Sequence, residues 1–578
     1  MALTTRSTVA NRTRPAAIAP AADTFQRALK QHQQGELVDA EAGYKAVIRR
    51  EPKHLHANYL LGLLYSQTER PHEAIRQISG YLKGCPNDAQ AISALALAYF
   101  DIDDFERAAQ LLERSLGLNA NAPHTWYNLG KARFALARHE SAIAAYAQAL
   151  QMEPGYADAA IGKAIAEREA KLYDKAEQTL AAAIVHAPME AGLHFHYGNV
   201  MRDLHAYEAA HDAYGATLAL DPHYRDAWVN YATTCKDLDQ TAEALDAYDR
   251  ALAIDPAHAE ANYNKSLVLL SNLHLDAGWK LYDKRLTSEV SVQRFVGGQR
   301  VRVAPDWDRR SVPASLLVMG EQGLGDQLFF ASMLAELAAQ VPGATVCVDP
   351  RLVPLLQRSY PALRFIDGAQ IDAQSFDAQI YLGSLGGLYR PDISSLERVP
   401  SAYLRADAQR SAALRKRIRR DGRLTCGLSW VSRNEQLGAG KSLTLEALLP
   451  ALAHDGIDFI DLQYGDHRAE RDAFEAAHGI QIQHLDDVDC THDIDGLAAL
   501  TDACDLVLTV SNTTAHLAGA LGKPTIVMLP DAAARLWYWP ADGLKSPWYP
   551  SACLFHKSGE RGWDNVVDAV ALTLLGIH

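Results

Sequence analysis

The chain has 578 residues, room for about four domain-sized units, and its 48% hydrophobic content is that of an ordinary soluble globular protein. Fifty-six Lys and Arg stand against 70 Asp and Glu, a net charge of -14, which argues against a general nucleic-acid binder. No apolar run approaches the roughly 18 residues that a membrane span needs, and the start lacks the apolar core of a secretory signal, so the expected location is cytoplasmic.

In chain order, residues 1–22 read as a disordered tail: Arg6, Arg12 and Arg14 sit among Ala, Thr and Pro with no acidic residue in the first 20, a composition that a transit peptide also shows. From residue 23 to 285 the sequence repeats. Prolines fall at Pro52, Pro86, Pro154, Pro188, Pro222 and Pro256, spaced by multiples of 34, with Ala120 in the one remaining place. Twelve residues before each of these positions stands Ala40, Ala74, Ala108, Ala142, Ala176, Ala210 or Ala244, where two helices must approach closely. Four residues later come Tyr44, Ile78, Leu112, Tyr146, Leu180, Tyr214 and Tyr248. This is the tetratricopeptide pattern: helix pairs that cannot bury their apolar faces alone and therefore stack into a superhelix. An eighth, degenerate unit, ending in Gly278-Trp279-Lys280-Leu281-Tyr282, is expected to cap the stack and join it to the next domain.

Asn128, Asn230 and Asn264 share one register of the repeat, interrupted by Leu60, Gly162 and His196. An amide offers a donor and an acceptor, so such a row can clamp an extended peptide backbone. A solvated polar face is the alternative. The register resembles the asparagine ladder of eukaryotic O-GlcNAc transferases.

After a linker at 286–313, helical periodicity gives way to short apolar strands, glycine turns and helices, the signature of parallel α/β sheets. Two Rossmann-like lobes are expected, 314–410 and 421–578, the second ending in a helix. In the first, strand 315–319 runs into Gly320-Glu321-Gln322-Gly323-Leu324-Gly325-Asp326 and a helix from Gln327 to Ala339, the geometry of a ligand site at the carboxyl end of a sheet. Asp326 reads either as a helix cap or as a carboxylate in the cleft. In the second lobe, strand 425–430 leads through a polar glycine loop to Lys441, and a strand at 459–462 ends at Gln463. Strand 505–510 then meets the turn Ser511-Asn512-Thr513-Thr514 and a helix from Ala515 to Gly522 containing His516. Free backbone N–H groups at that helix start, beside hydroxyl side chains, would suit a diphosphate.

The Gly-Glu-Gln-Gly-Leu-Gly-Asp loop, the Thr-Thr-Ala-His-Leu-Ala-Gly-Ala-Leu-Gly-Lys-Pro run (513–524) and the ending Ser546-Pro547-Trp548-Tyr549-Pro550 resemble bacterial tetratricopeptide-repeat glycosyltransferases related to heptosyltransferases. The resemblance covers roughly residues 25–575. It implies a GT-B fold, two Rossmann-like domains facing a cleft, and transfer of a sugar from a UDP-, ADP-, GDP- or CMP-linked donor to a protein acceptor held by the repeats. Asp326 matches the family's catalytic base. Gly323, Gly325, Lys441, Gln463, Ser511, Asn512, Thr513, Thr514 and His516 fall on the donor side, and Asn128, Asn230 and Asn264 on the acceptor side. Some similar proteins modify flagellins with nonulosonic acids, which places flagellin among the implied acceptors.

No metal or other cofactor is required by this reading. The seven cysteines are scattered and contain no Cys-x-x-Cys pair, Cys490 and His492 lack a second metal-binding pair, and Asp487, Asp489, Asp493 and Asp495 read as a solvated loop. One departure matters: the family usually has an aspartate where this chain has Ser511. A catalytically silent scaffold or chaperone, and a transferase acting on lipid or polysaccharide, therefore stand as alternatives.

Overall fold

A computed structural model of the protein describes residues 21–287, 303–371, 376–434, 437–558 and 561–576. The expected N-terminal tail lies almost wholly outside the described residues, as does most of the expected linker. Among the described residues, sixteen α-helices precede the first strand, from Ala21–Gln33 to Leu275–Tyr282. They pack as consecutive antiparallel pairs. The chain divides into two compact units, the first ending at Pro222 and the second beginning at His223, so the last two helix pairs belong with the sheets.

The 34-residue period has a direct physical cause in the helix packing. Ala40, Ala74, Ala108, Ala142, Ala176, Ala210 and Ala244 all have 0% exposure. A second small position recurs on the first helix of each pair and receives the bulky residue of the second: a Cβ added at Gly130 would stand 2.6 Å from the ring of Tyr146. The turn inside each pair contains one residue in the left-handed region, at Gly35 (φ 78°) and at Glu69, Asp103, Ala137, Lys171, His205, Asp239 and Leu273 (φ 55° to 60°). Only the first of these turns has glycine, so the rest tolerate a strain of about 1 kcal/mol each.

In the second unit, helices Arg225–Asp237, Thr241–Ile254, Ala259–Ser271 and Leu275–Tyr282 lead into two sheets. The first has strands β1 (Leu316–Met319), β2 (Thr345–Cys347), β3 (Arg364–Ile366) and β4 (Ala378–Tyr381), in the order β3-β2-β1-β4. The second has β5 (Leu424–Ser429), β6 (Ile457–Asp461), β7 (Ile482–Gln483), β8 (Leu506–Val510), β9 (Thr525–Leu529) and β10 (Ala552–His556), in the order β10-β9-β8-β5-β6-β7. Every pairing between these strands is parallel. Strands of such sheets are covered on both faces, and β1, β2, β4, β8 and β9 are buried throughout. Strand order reverses between β1 and β4 in one sheet and between β5 and β8 in the other. Those reversals are the topological switch points at which open α/β sheets form a crevice.

The sequence placed three boundaries differently. The helix expected from Gln327 starts at Leu324, with Gly323 as its cap, and breaks into a 3-10 turn at Ala331–Met333 before resuming as Leu334–Gln340. The helix expected from Ala515 is Thr513–Ala520, because Asn512 caps it two residues earlier. Helix Ala408–Ile418 begins inside the expected first lobe yet packs on helix Ile494–Ala503 beside the second sheet. No described helix is long and apolar enough to cross a membrane.

The turn geometry predicts opposite effects for two substitutions. Ala137→Gly should stabilise the repeats against urea by about 1 kcal/mol, and Gly35→Ala should destabilise them by a similar amount. A Cβ at Gly35 would meet nothing within 4 Å, so that effect reports backbone strain alone.

Candidate functional site

A cleft of about 490 Å³ opens between the two sheets of the second unit. The segments that line it come after strands: Gln322 to Gln327 after β1, Asp349 to Arg351 after β2, Ser432 to Asn434 and Lys441 after β5, Tyr464 after β6, Ser511 to Thr513 and His516 after β8, and Leu536 and Tyr538 after β9. Parallel strands run their carboxyl ends to one edge, which is why loops distant in sequence converge there.

Asp326 is the third residue of helix Leu324–Phe330, and its Oδ2 accepts the N–H of Gly323 at 3.1 Å. It is thus both a cap and a cleft carboxylate, and the two readings of the sequence are reconciled. Burial raises its pKa to about 6, while the Gly323 N–H and the charge of Lys441 act the other way. Tyr538, buried beside it, is held un-ionised by burial and by the Asp326 charge.

Lys441 is 1% exposed, lines the cleft, and has no hydrogen-bond or ion-pair partner among the described residues. Burial lowers its pKa to about 8, with Asp326 acting in the opposite direction. At neutral pH the ammonium is therefore charged, largely desolvated and unpaired among the described residues, a costly state that an anionic ligand would relieve.

His516 is 2% exposed, with Nδ1 2.7 Å from the Tyr549 hydroxyl. Burial, reinforced by the charge of Lys441, depresses its pKa to about 3. It is neutral at physiological pH and offers a hydrogen bond in place of a positive charge. Gly325 is where the two lobes touch: a Cβ there would lie 2.8 Å from the His516 ring.

The turn after β8 corrects the expectation of free helix-start amides. Asn512 Oδ1 accepts the N–H groups of Thr514 at 3.0 Å and Ala515 at 3.4 Å, and its Nδ2 donates to Ser429 Oγ at 2.9 Å and to the Val431 carbonyl at 3.1 Å. Its amide is fully engaged inside the fold. Thr514 is buried, lies near Ser429 and does not line the cleft. Gln463 is likewise internal: its Oε1 accepts from Ser429 Oγ, Trp430 N and Val431 N, and its Nε2 donates to the Val431 and Tyr464 carbonyls. Thr514 and Gln463, expected on the donor side, instead clip together the ends of β5, β6 and β8. Ser511 and Thr513 do reach the cleft. Ser511 Oγ accepts the Trp539 indole N–H at 2.9 Å, leaving its own hydrogen free to donate.

Sequence reasoning missed Arg351, Arg433, Tyr464 and Tyr538, which also line the cleft. Arg351 is held bidentately by Asp349 (2.9 Å to each oxygen) and donates to the Thr491 carbonyl at 3.0 Å, linking the two lobes. A strand-terminal Asp-Pro-Arg and an Arg after β5 were the available signals. The four loop aspartates are engaged by the protein: Asp487 with Arg417, Asp489 with His492, Asp493 with Arg410 and Asp495 with Arg358.

Asn128, Asn230 and Asn264 are half-buried on the first helices of their pairs. Asn128 belongs to the first unit, the other two to the second.

Residues 25–89, 133–193 and 226–258 match tetratricopeptide-repeat families, and residues 78–149 match anaphase-promoting complex, cyclosome, subunit 3. The helical half is therefore a tetratricopeptide-repeat array, which points to a role in binding proteins or peptides. Over 569 residues the chain is 27% identical to protein FlbA of Caulobacter vibrioides, spanning 95% of this chain and 83% of FlbA. Among solved structures, MamA is 25% identical, covering 28% of this chain and 94% of its own, with a TM-score of 0.27. A tetratricopeptide-repeat protein from Parabacteroides merdae is 17% identical, covering 46% and 98%, with a TM-score of 0.35.

The Lys441 environment makes a signed prediction. Its folded-state pKa lies below the unfolded value, so its charge opposes folding below about pH 8 and this effect fades as pH rises through 8 towards 10. Lys441→Met should therefore stabilise the ligand-free protein by about 2 kcal/mol at pH 7, with a gain that shrinks above pH 8 in denaturation midpoints.

Proposed function

We propose that the chain is a glycosyltransferase of the GT-B kind, moving a sugar from a nucleotide-linked donor to an acceptor protein recruited by the repeats. The observation that carries this reading is the buried Lys441, without a partner among the described residues, sharing one cleft with Asp326 at the carboxyl ends of two parallel sheets. Sugar transfer needs a group to accept the acceptor's hydroxyl proton and a group to stabilise negative charge on the departing phosphate. Asp326, ionised above about pH 6, serves as the base. Lys441 meets the phosphate charge, with neutral His516 and the hydroxyls of Ser511 and Thr513 as hydrogen-bond donors beside it. No step in this scheme calls on a metal. The acceptor is a polypeptide in this reading, with flagellin as one candidate.

A silent scaffold is the second reading, favoured by the Asn512 cap, which withdraws two amides that a phosphate would use. Nucleotides separate the two. The transferase should be protected from thermal unfolding by at least one of UDP, ADP, GDP and CMP, and Lys441→Met should abolish that shift; a scaffold shows no shift with any of them. Asp326→Asn should keep the nucleotide shift and lower sugar transfer from the matching labelled donor by about 10²–10⁴-fold, with the wild-type rate rising through pH 6. Unchanged transfer by Asp326→Asn would reject the base assignment.

A further inference from the structure

We infer that the end of the repeat array is a positioning element for the cleft: Arg285 and Tyr282 hold the Glu321-Gln322 segment of the first lobe in the conformation that presents Asp326. This rests on the transferase reading for its functional consequence and on geometry alone for its structural one.

The first sheet's switch point, between β1 and β4, is where a Rossmann-like sheet ordinarily takes a ligand. Here a side chain from the repeats fills it. Arg285, on the short turn after helix Leu275–Tyr282, has 0% side-chain exposure, and its guanidinium pairs with both oxygens of Glu321, which comes just after β1. It also donates to Ser384 Oγ, just after β4, at 3.0 Å. Glu321 Oε1 in turn accepts the Gly383 N–H at 3.0 Å, so the crevice is closed by an internal cation and its counter-ion. Trp279 of the same helix packs over Gly386 and Gly387 and donates to the Arg390 carbonyl at 2.8 Å.

The next residue carries the constraint towards the cleft. Gln322 adopts φ 63°, a left-handed conformation that a non-glycine residue holds only when its surroundings enforce it. What enforces it comes from the repeats: its side-chain amide donates to the Tyr282 hydroxyl at 3.1 Å. The backbone at Gln322 sets the direction of the adjoining N–H, that of Gly323, and this is the group bound to Asp326 Oδ2. A chain of contacts thus runs from Tyr282 through Gln322 and Gly323 to Asp326. Glu321, anchored by Arg285, adds a negative charge that helps keep the Asp326 pKa raised. Tyr282, Arg285, Glu321 and Gln322 are positioning residues in this scheme.

The test uses the full chain and amide hydrogen exchange over residues 320–326. Tyr282→Phe removes only the hydroxyl that accepts from Gln322, and should speed exchange in that segment about fivefold, the effect of losing one ordinary hydrogen bond, while helix Thr513–Ala520 exchanges as before. Adding Gln322→Gly to Tyr282→Phe should restore protection towards the wild-type level, because glycine adopts φ 63° without needing the contact. A purely structural loss would raise exchange everywhere and would not be rescued. Unaltered exchange at 320–326 in Tyr282→Phe, or failure of Gln322→Gly to restore it, overturns the inference. In the activity arm, whichever of UDP, ADP, GDP or CMP protects the wild type should protect Tyr282→Phe equally, while sugar transfer from the matching labelled donor falls by a similar factor. If none protects the wild type, the transferase reading falls and the exchange result still decides the positioning role.

Discussion

The buried pair of Arg285 and Glu321 is the constraint on which the second unit depends. Two charges removed from water gain from each other only when their geometry is good and their remaining polar atoms are satisfied. Both conditions hold: the guanidinium meets both carboxylate oxygens, and Tyr282, Asp283, Ser384 and Gly383 take the remaining donors and acceptors. Breaking such a pair from one side typically costs about 3–5 kcal/mol, because the partner charge is left uncompensated. The last helix of the repeats is therefore an integral part of the first lobe, consistent with a division of the chain that leaves the last two helix pairs with the sheets.

The same logic explains the cleft by contrast. At the switch point of the first sheet the buried cation has its counter-ion in the fold, whereas Lys441, below the second sheet, has none among the described residues. The fold spends Asn512, Gln463 and Ser429 on tying the ends of β5, β6 and β8 together, and none of the three neutralises Lys441. A charge held at a loss of stability is a common mark of sites shaped for function. The neutral state of His516 has the same origin, since Lys441 and burial both oppose a second positive charge.

How much of this was legible in the sequence depended on the length scale of the interaction. The repeats were legible because the close contact recurs every 34 residues, and Ala40 or Tyr146 can be read by counting. The loops after β1, β5 and β8 were legible as strand, glycine turn and helix. Side-chain direction within them was not: Thr513 and Thr514 are adjacent, yet one faces the cleft and the other the Ser429 network, a choice set by where Asn512 begins the helix. Gln463 was placed on the donor side because it ends a strand, and it turned inward because three neighbouring groups needed its acceptor. Arg351 and Arg433 left only a weak signal, their place after a strand, because nothing else local distinguishes a cleft arginine from a surface one.

The repeat boundary was the least legible feature and the most consequential. Gly278-Trp279 read as a degenerate cap, and the pattern gave no sign that Arg285 reaches a glutamate 36 residues away. Two switch points arise from two parallel sheets, and the molecule treats them oppositely. One is filled by the chain itself and serves as a joint; the other is lined by a lysine with no partner among the described residues. The asymmetry divides the labour between the sheets: the first supplies a carboxylate on a loop braced from the repeats, and the second supplies the positive charge. A ligand that bridges them must carry negative charge towards Lys441 and a proton-bearing group towards Asp326.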